Sequence, residues 1–329
     1  MSKQNAVLRQ SSFSVPFSFK KKGQKGGVSM TGRFAPSPSG RMHMGNLWSC
    51  LLAWLAARSV GGGMVLRLED LDPDRCRQEY CDQIMRDLEW LGLDWDGAPV
   101  YQSQRTELYR QAFQKLEQQG LIYPCFCTRA ERLAASAPHR SDGTAVYDGR
   151  CRSLSPEARE ALSQTRRPAW RVQVPERSIT FRDLLCGEYI EDLSRDCGDF
   201  ILRRSDGIFA YQLAVVVDDA DMGVTQVVRG SDLLSSTPRQ IWLQDQLGLP
   251  HPEHGHLPLL LAPDGRRLAK RDRDLELGQL QTQYPAPELV GQLAYAACLI
   301  DRPEAVSPQE LIPLFSWEKL PKRDLIWAL

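Results

Sequence analysis

The stretch Arg33-Phe-Ala-Pro-Ser-Pro-Ser-Gly-Arg-Met-His-Met-Gly-Asn46 gathers residues suited to holding a phosphate. Pro36, Pro38 and Gly40 make a stiff loop, and His43, Gly45 and Asn46 fall where a helix would begin. A helix start offers unpaired backbone N–H groups and the positive end of its dipole, which suits a polyphosphate. Glycine lets a ligand reach the backbone, and an imidazole can donate to phosphoryl oxygens. Taken alone, His-x-Gly reads equally as a turn and a helix cap. A second basic group, Arg267-Leu-Ala-Lys-Arg271, follows the turn Pro263-Asp264-Gly265. By itself such a cluster is a solvated face. Glu69 and Asp70 read as an acid–base pair or as charges facing water at a strand end. Cys125-Phe-Cys127 with Cys151 has the soft donors that zinc takes, with His139 available as the usual nitrogen ligand. The alternative is reduced structural thiols. No Ser or Cys nucleophile motif is present.

Alternating elements are needed to position these groups. Residues 32–35 read as a short buried strand, and Leu47, Leu51, Leu52 and Leu55 mark a helix. Residues 64–68 read as a strand, 73–91 and 105–119 as helices. That order implies a parallel sheet covered by helices. The middle differs: residues 121–166 lack long periodicity, Trp170, Val172 and Val174 alternate as a strand, and 200–211 reads as a hairpin turning at Asp206-Gly207. The α/β pattern then resumes with an apolar stretch at 213–217, a strand at 224–228, a helix at 236–247 and a buried strand at 257–261. A helix at 287–299 and apolar residues at 311–317 follow. Cys50, Cys76, Cys81 and Cys298 fall on or near helical segments as core, whereas Cys186 and Cys197 lack ligand spacing.

The 329 residues allow about two domains. Hydrophobic content of 42% and charged content of 25% exclude wholesale disorder. No apolar run reaches the ~18 residues that span a bilayer. Basic and acidic residues balance at 41 each. The first thirty residues hold six basic groups and no acid, so the remainder carries a net charge of −6. Nucleic-acid binding by the body would therefore need a local basic surface. Nine cysteines are too few for a disulfide scaffold, and the expectation is a cytoplasmic chain with reduced thiols.

Gly-Arg-Phe-Ala-Pro-Ser-Pro-Ser-Gly at 32–40 followed by His43-Met-Gly-Asn46 resembles the HIGH signature of class I aminoacyl-tRNA synthetases, in the form used by the glutamyl enzymes. Arg67-Leu-Glu-Asp-Leu-Asp72, the block from Phe209 to Asp219, and Val228-Arg-Gly-Ser-Asp-Leu233 also look like that family. The Arg267–Arg271 segment is similar to its KMSKS loop, with Lys270 at the second lysine, Arg267 replacing the first and Ala269 the serine.

The resemblance implies a Rossmann-like α/β catalytic domain split by a zinc-bearing insertion. Its parts would be a disordered basic tail at 1–30, catalytic halves at 31–120 and 191–271, the insertion at 121–190, and a helical extension at 272–329. It implies glutamate activation by ATP with Mg²⁺, His43 and Lys270 being catalytic. Arg33, Phe34, Ala35, Pro36, Ser37, Glu69, Tyr211 and Arg229 would bind glutamate; His43, Gly45, Asn46 and Lys270 would bind ATP. Cys125, Cys127, Tyr147 and Cys151 would hold one Zn²⁺. Only 58 residues follow Arg271. That is short for an anticodon-reading domain, and it points to a shortened branch of the family that is tRNA-independent in activation. Such a chain, expected to be a monomer, would transfer glutamate to the queuosine base of tRNA(Asp). The rivals are a glutamyl-tRNA synthetase charging tRNA(Glu) and a non-catalytic module that holds ATP or tRNA.

Overall fold

The computed structural model describes residues 29–128, 146–266, 268 and 276–327. His139, Arg267, Ala269 and Lys270 lie outside the described residues, as does the tail expected to be disordered up to residue 28. No described helix is long and apolar enough to cross a membrane.

Strand β1 (Thr31–Phe34) runs parallel to β2 (Gly63–Leu68), with Arg33 opposite Val65, and β2 runs parallel to β3 (Val100–Tyr101). Between β1 and β2 lies α1 (Met44–Arg58), buried almost all round, including Trp48, Leu51 and Trp54. A helix apolar on every face must be covered on every face. Gly62 ends the connection. A Cβ there would meet the Met30 and Ala57 carbonyls at 2.7 and 2.9 Å, so only glycine fits.

Helix α2 spans Gln78–Trp90 and α3 spans Thr106–Gln118. The α2 start lies five residues beyond the expected one, because residues 72–76 form a turn. In it the Asp72 carbonyl accepts from Arg75 and Cys76, and its carboxylate from Asp74.

On the other side of β1, the Thr225 N–H donates to the Thr31 carbonyl at 3.0 Å. Thr225 leads into β9 (Gln226–Gly230), which pairs parallel with β10 (Glu253–Leu257). The chain thus builds outward in one direction from β1 and in the other from β9. In such sheets, ligands bind outside the carboxyl ends where the order reverses.

The intervening segment folds as an antiparallel sheet of β4 (Ile122–Cys125), β5 (Ala169–Val172) and β8 (Phe200–Arg203), with α4 (Pro156–Ser163) before β5. The expected turn at Asp206-Gly207 forms, with Gly207 at φ +96° and a bridge from Arg203 to Phe209. A hairpin absent from the sequence reading, β6 (Ser178–Asp183) with β7 (Gly187–Asp192), precedes it. The 213–217 apolar stretch belongs to α5 (Tyr211–Asp221).

Apart from a small cluster of Tyr123, Cys125 and Cys151, the described part of the middle segment shares its core with the helices. Val172, Leu202 and Phe209 share one apolar cluster with Tyr109 and Phe113 of α3 and Trp242 of α6 (Thr237–Leu247).

The strand expected at 257–261 is broken at Pro258, which has no N–H for a ladder. Past it, β11 (Leu260–Leu261) pairs instead with β12 (Leu325–Ile326) near the chain's end. Helices α7 (Leu277–Gln283), α8 (Ala286–Ala296) and α9 (Pro308–Leu311) bury Leu277, Leu289, Leu293 and Leu311 against the α1 core. Gly255 of β10 lies under the Trp317 ring, which leaves no room for a Cβ. Cys50 and Cys81 are buried as expected, but Cys298 is exposed at φ +57° and Cys76 is half-buried.

Candidate active site

A cleft of about 630 Å³ opens outside the carboxyl ends of β1 and β9. The β1–α1 loop brings Arg33 through Ser37 to its wall, and the α1 start brings His43, Gly45 and Asn46. Glu69 enters from the end of β2, Tyr211 from the first turn of α5 and Arg229 from β9. Every described residue of the predicted glutamate and ATP sets therefore lines this one cleft.

The helix start is held by its own residues: the Asn46 Oδ1 accepts the His43 N–H at 3.0 Å. Gly45 sits under the imidazole, where a Cβ would come within 3.2 Å of the ring. Leu268, two positions before Lys270 in the sequence, also lines the cleft.

Charge is packed behind the wall. Arg33 is 5% exposed, bonds the Val228 carbonyl at 3.2 Å and lies 3.5 Å from Asp219. Burial lowers its pKa, with Asp219 opposing. Arg67, fully buried, donates to Asp219 at 2.6 Å and to Glu69 at 3.2 Å. Asp218 accepts from Gln102, Arg105 and the Tyr109 hydroxyl at 2.7, 2.6 and 2.8 Å. Burial pushes the Glu69 carboxyl above its ordinary pKa, and Arg67 and Arg33 pull it back. A carboxylate at the edge of a guanidinium cluster has the chemistry to pair with an ammonium group, and guanidiniums have the geometry to take carboxylates.

Arg229 is held on several sides. Its Nη1 donates to the Tyr211 hydroxyl at 3.3 Å, its Nη2 to Thr237 at 2.8 Å and Gln240 at 2.9 Å, and its Nε to His256 Nε2 at 3.0 Å.

A separate cluster joins Cys125, Cys127 and Cys151, whose Sγ atoms lie within 4.8 Å of one another. The Tyr147 hydroxyl is 3.5 Å from both Cys125 and Cys127. Four donors around zinc at ~2.3 Å from sulfur need this kind of crowding, so the donor set fits a tetrahedral ion. The Arg171 guanidinium sits 3.8 Å from the Tyr147 ring centroid. Burial opposes ionisation of Cys125, but the Tyr147 hydroxyl and Arg171 outweigh it and lower its pKa.

Sequence reasoning assigned no role to Arg67, Asp218 or Asp219, although all three fall inside motif blocks. The signal was a charge inside an otherwise apolar run, as at Val215-Val-Val-Asp-Asp219. Asp183 and His256 carried no local signal. Arg41, Trp48 and Asp232 also line the cleft unforeseen.

The family model for the class I tRNA synthetases (E and Q), catalytic domain, matches residues 29–297. A glutamyl-Q tRNA(Asp) synthetase of Symbiobacterium thermophilum is 50% identical over 311 residues, covering 90% of this chain and 95% of that relative. One from Nitratidesulfovibrio vulgaris is 48% identical, covering 90% and 94%. The chain also superposes on the crystal structure of a glutamate tRNA ligase from Elizabethkingia meningosepticum in complex with its amino acid. There the TM-score is 0.77 at 27% identity, over 91% of this chain and 67% of that one.

Proposed function

The chain belongs to the class I tRNA synthetases of the glutamate and glutamine type, in the group of the glutamyl-Q tRNA(Asp) synthetases, and we propose that it forms glutamyl-adenylate and passes glutamate to the queuosine base of tRNA(Asp). The observation that carries this reading is the cleft itself. It places the Arg33 and Arg229 guanidiniums, the Glu69 carboxylate and a helix start within a single cavity at the switch point of the sheet.

In the first step a glutamate α-carboxylate oxygen attacks the α-phosphorus of ATP, and pyrophosphate leaves. Such chemistry needs positioning and charge neutralisation more than covalent participation. Arg33 and Arg229 hold the two substrate carboxylates, Glu69 the ammonium, and Tyr211 closes the side. The backbone from Phe34 to Ser37 lines the amino acid, and His43, Gly45 and Asn46 take the phosphates, a task that Lys270 would share. Mg²⁺ brought with the ATP would supply charge neutralisation of its phosphates. In the second step a hydroxyl of the queuosine base attacks the activated carbonyl, and AMP leaves.

Cys125, Cys127, Tyr147 and Cys151 would hold one zinc ion, whose contribution is to tie the segment after β4 to the segment before α4. On this reading the division into catalytic halves at 31–120 and 191–271, with the insertion between, is a division of function within one packed body.

The preference for the queuosine acceptor over tRNA(Glu) rests on the relatives. Identity is 50% over nearly the whole length of a glutamyl-Q enzyme, against 27% over 67% of a glutamate ligase. The test is glutamate-dependent ATP–pyrophosphate exchange without tRNA, followed by attachment of labelled glutamate. Exchange should proceed without tRNA. Label should reach queuosine-containing tRNA(Asp) and fail to reach the same tRNA from cells that cannot make queuosine. Efficient charging of tRNA(Glu) would defeat the assignment, and absence of exchange would favour a binding module.

A further inference from the structure

We propose that His256, fixed in one tautomer by Asp183, is a positioning residue that sets the plane of the Arg229 guanidinium in the cleft. This rests on the reading that Arg229 takes a substrate carboxylate. The hydrogen bonds leave one arrangement of protons. A guanidinium N–H only donates, so the His256 Nε2 facing Arg229 Nε at 3.0 Å must present its lone pair. The imidazole proton then sits on Nδ1 and is donated to Asp183 Oδ2 at 2.6 Å.

Asp183 cannot turn away. Its Oδ1 accepts the backbone N–H groups of Leu185, Cys186 and His256 at 2.9, 2.9 and 3.1 Å. Asp183 and His256 are 2% and 0% exposed, so no water competes for these bonds. The relay crosses the molecule from β6 through β10 to β9. It gives the unforeseen hairpin a consequence at the cleft.

The rest of Arg229 agrees. Nη2 is taken by Thr237, Gln240 and the Leu233 carbonyl, and Nη1 by Tyr211. One Nη1 N–H is left among the described residues for a ligand in the cleft. Its direction is set by the guanidinium plane, and the Nε bond pins that plane.

The groups facing the His256 ring are Asp183 from β6, Arg229 from β9, Thr237 from α6 and the stacked His254 ring at 6.0 Å, with Phe181 edge-on at 6.4 Å. Burial, and then the positive charges of Arg229 and Arg33, outweigh Asp183 and keep the ring from protonating, which preserves the acceptor.

Asp183→Asn tests this without removing the turn. The amide oxygen still takes the three backbone N–H groups, but the amide N–H now donates to His256 Nδ1. The ring proton must move to Nε2, against Arg229. An unsatisfied bond to a buried charge is worth about 10- to 100-fold in affinity. The KM for glutamate in pyrophosphate exchange should rise by that factor while the KM for ATP stays within about twofold. Nitrogen-15 NMR of labelled histidine should show His256 protonated at Nδ1 in the wild type and at Nε2 in the variant. His256→Gln assigns the resonance among the five histidines. In the His256→Gln background the Asp183→Asn penalty should vanish, because no tautomer remains to be set.

Additive penalties, equal rises in both KM values, or an Nε2-protonated ring in the wild type would overturn the proposal. The NMR result does not depend on turnover. A wild type that fails to exchange with glutamate would therefore count against the substrate assignment alone.

Discussion

At the scale of single residues, the cleft is organised by charges removed from water. Arg33, Arg67 and Arg229 are each at most 5% exposed, and Asp218 and Asp219 stand beside them. Isolated burial of any one would cost several kcal/mol, and pairing is what makes the set tolerable. Glu69 is the member whose protonation is easiest to read. Burial raises its pKa above the ordinary value of 4.5. As pH falls, Glu69 therefore takes up a proton before an exposed glutamate would, and under the proposed function its hold on the substrate ammonium would be lost. The KM for glutamate should climb on the acid side with an inflection above 4.5, and Glu69→Gln should raise KM about 10- to 100-fold and abolish that inflection. A pH profile of pyrophosphate exchange checks both. An unchanged inflection in the variant would move the ammonium site elsewhere.

At the scale of elements, the local reading succeeded where one face or one breaker decides the outcome. The β1–α1–β2 unit follows from short apolar strands, a wholly apolar helix and a glycine at 62 that no other residue could replace. It failed at β6–β7, where the strand's exposed face carries Ser178, Thr180 and Arg182 and the polar composition hides the alternation. It failed also at Pro258, whose missing N–H divides one apolar run between two different pairings.

The cysteine cluster is an element-scale device, since it ties the end of β4 to the turn before α4. Purified protein should contain about one zinc per chain. Cys125→Ser should release it, Tyr147→Phe should weaken retention against a chelator, and His139→Ala should leave retention unchanged. Metal analysis and thermal unfolding read these outcomes. Loss of zinc on the His139 change alone would reassign the fourth ligand.

At the scale of the whole molecule, two apolar cores meet behind one cleft. The first joins α1, the parallel strands and the C-terminal helices. The second joins α3, α5 and α6 to the antiparallel sheet. Near the first strand pair, the Met30 carbonyl accepts the Gly63 N–H at 2.8 Å. A chain starting at Met30 keeps that bond and every cleft residue. It should retain wild-type pyrophosphate exchange and a thermal midpoint within about 1 °C, below the roughly 2–4 °C that 1 kcal/mol moves a domain of 150–250 residues. A large loss of glutamate transfer to tRNA with exchange intact would assign the basic tail to nucleic acid.

The amino-acid sequence by itself determined the class of the fold, the order of the elements around the cleft and the motif residues that line it, such as Arg33, His43 and Arg229. Those depend on local spacing: a proline- and glycine-stiffened loop before a helix start, apolar periods, and four motif blocks in a characteristic order. Tertiary structure alone decided which charges support them. Arg67 meets Asp219 across 152 positions, Arg33 meets the Val228 carbonyl across 195, and His256 meets Asp183 across 73. A carboxylate or an imidazole has the same letter whether it faces water or an arginine. Only burial, which removes water as the competing partner, makes its neighbour across the fold the one it must bond.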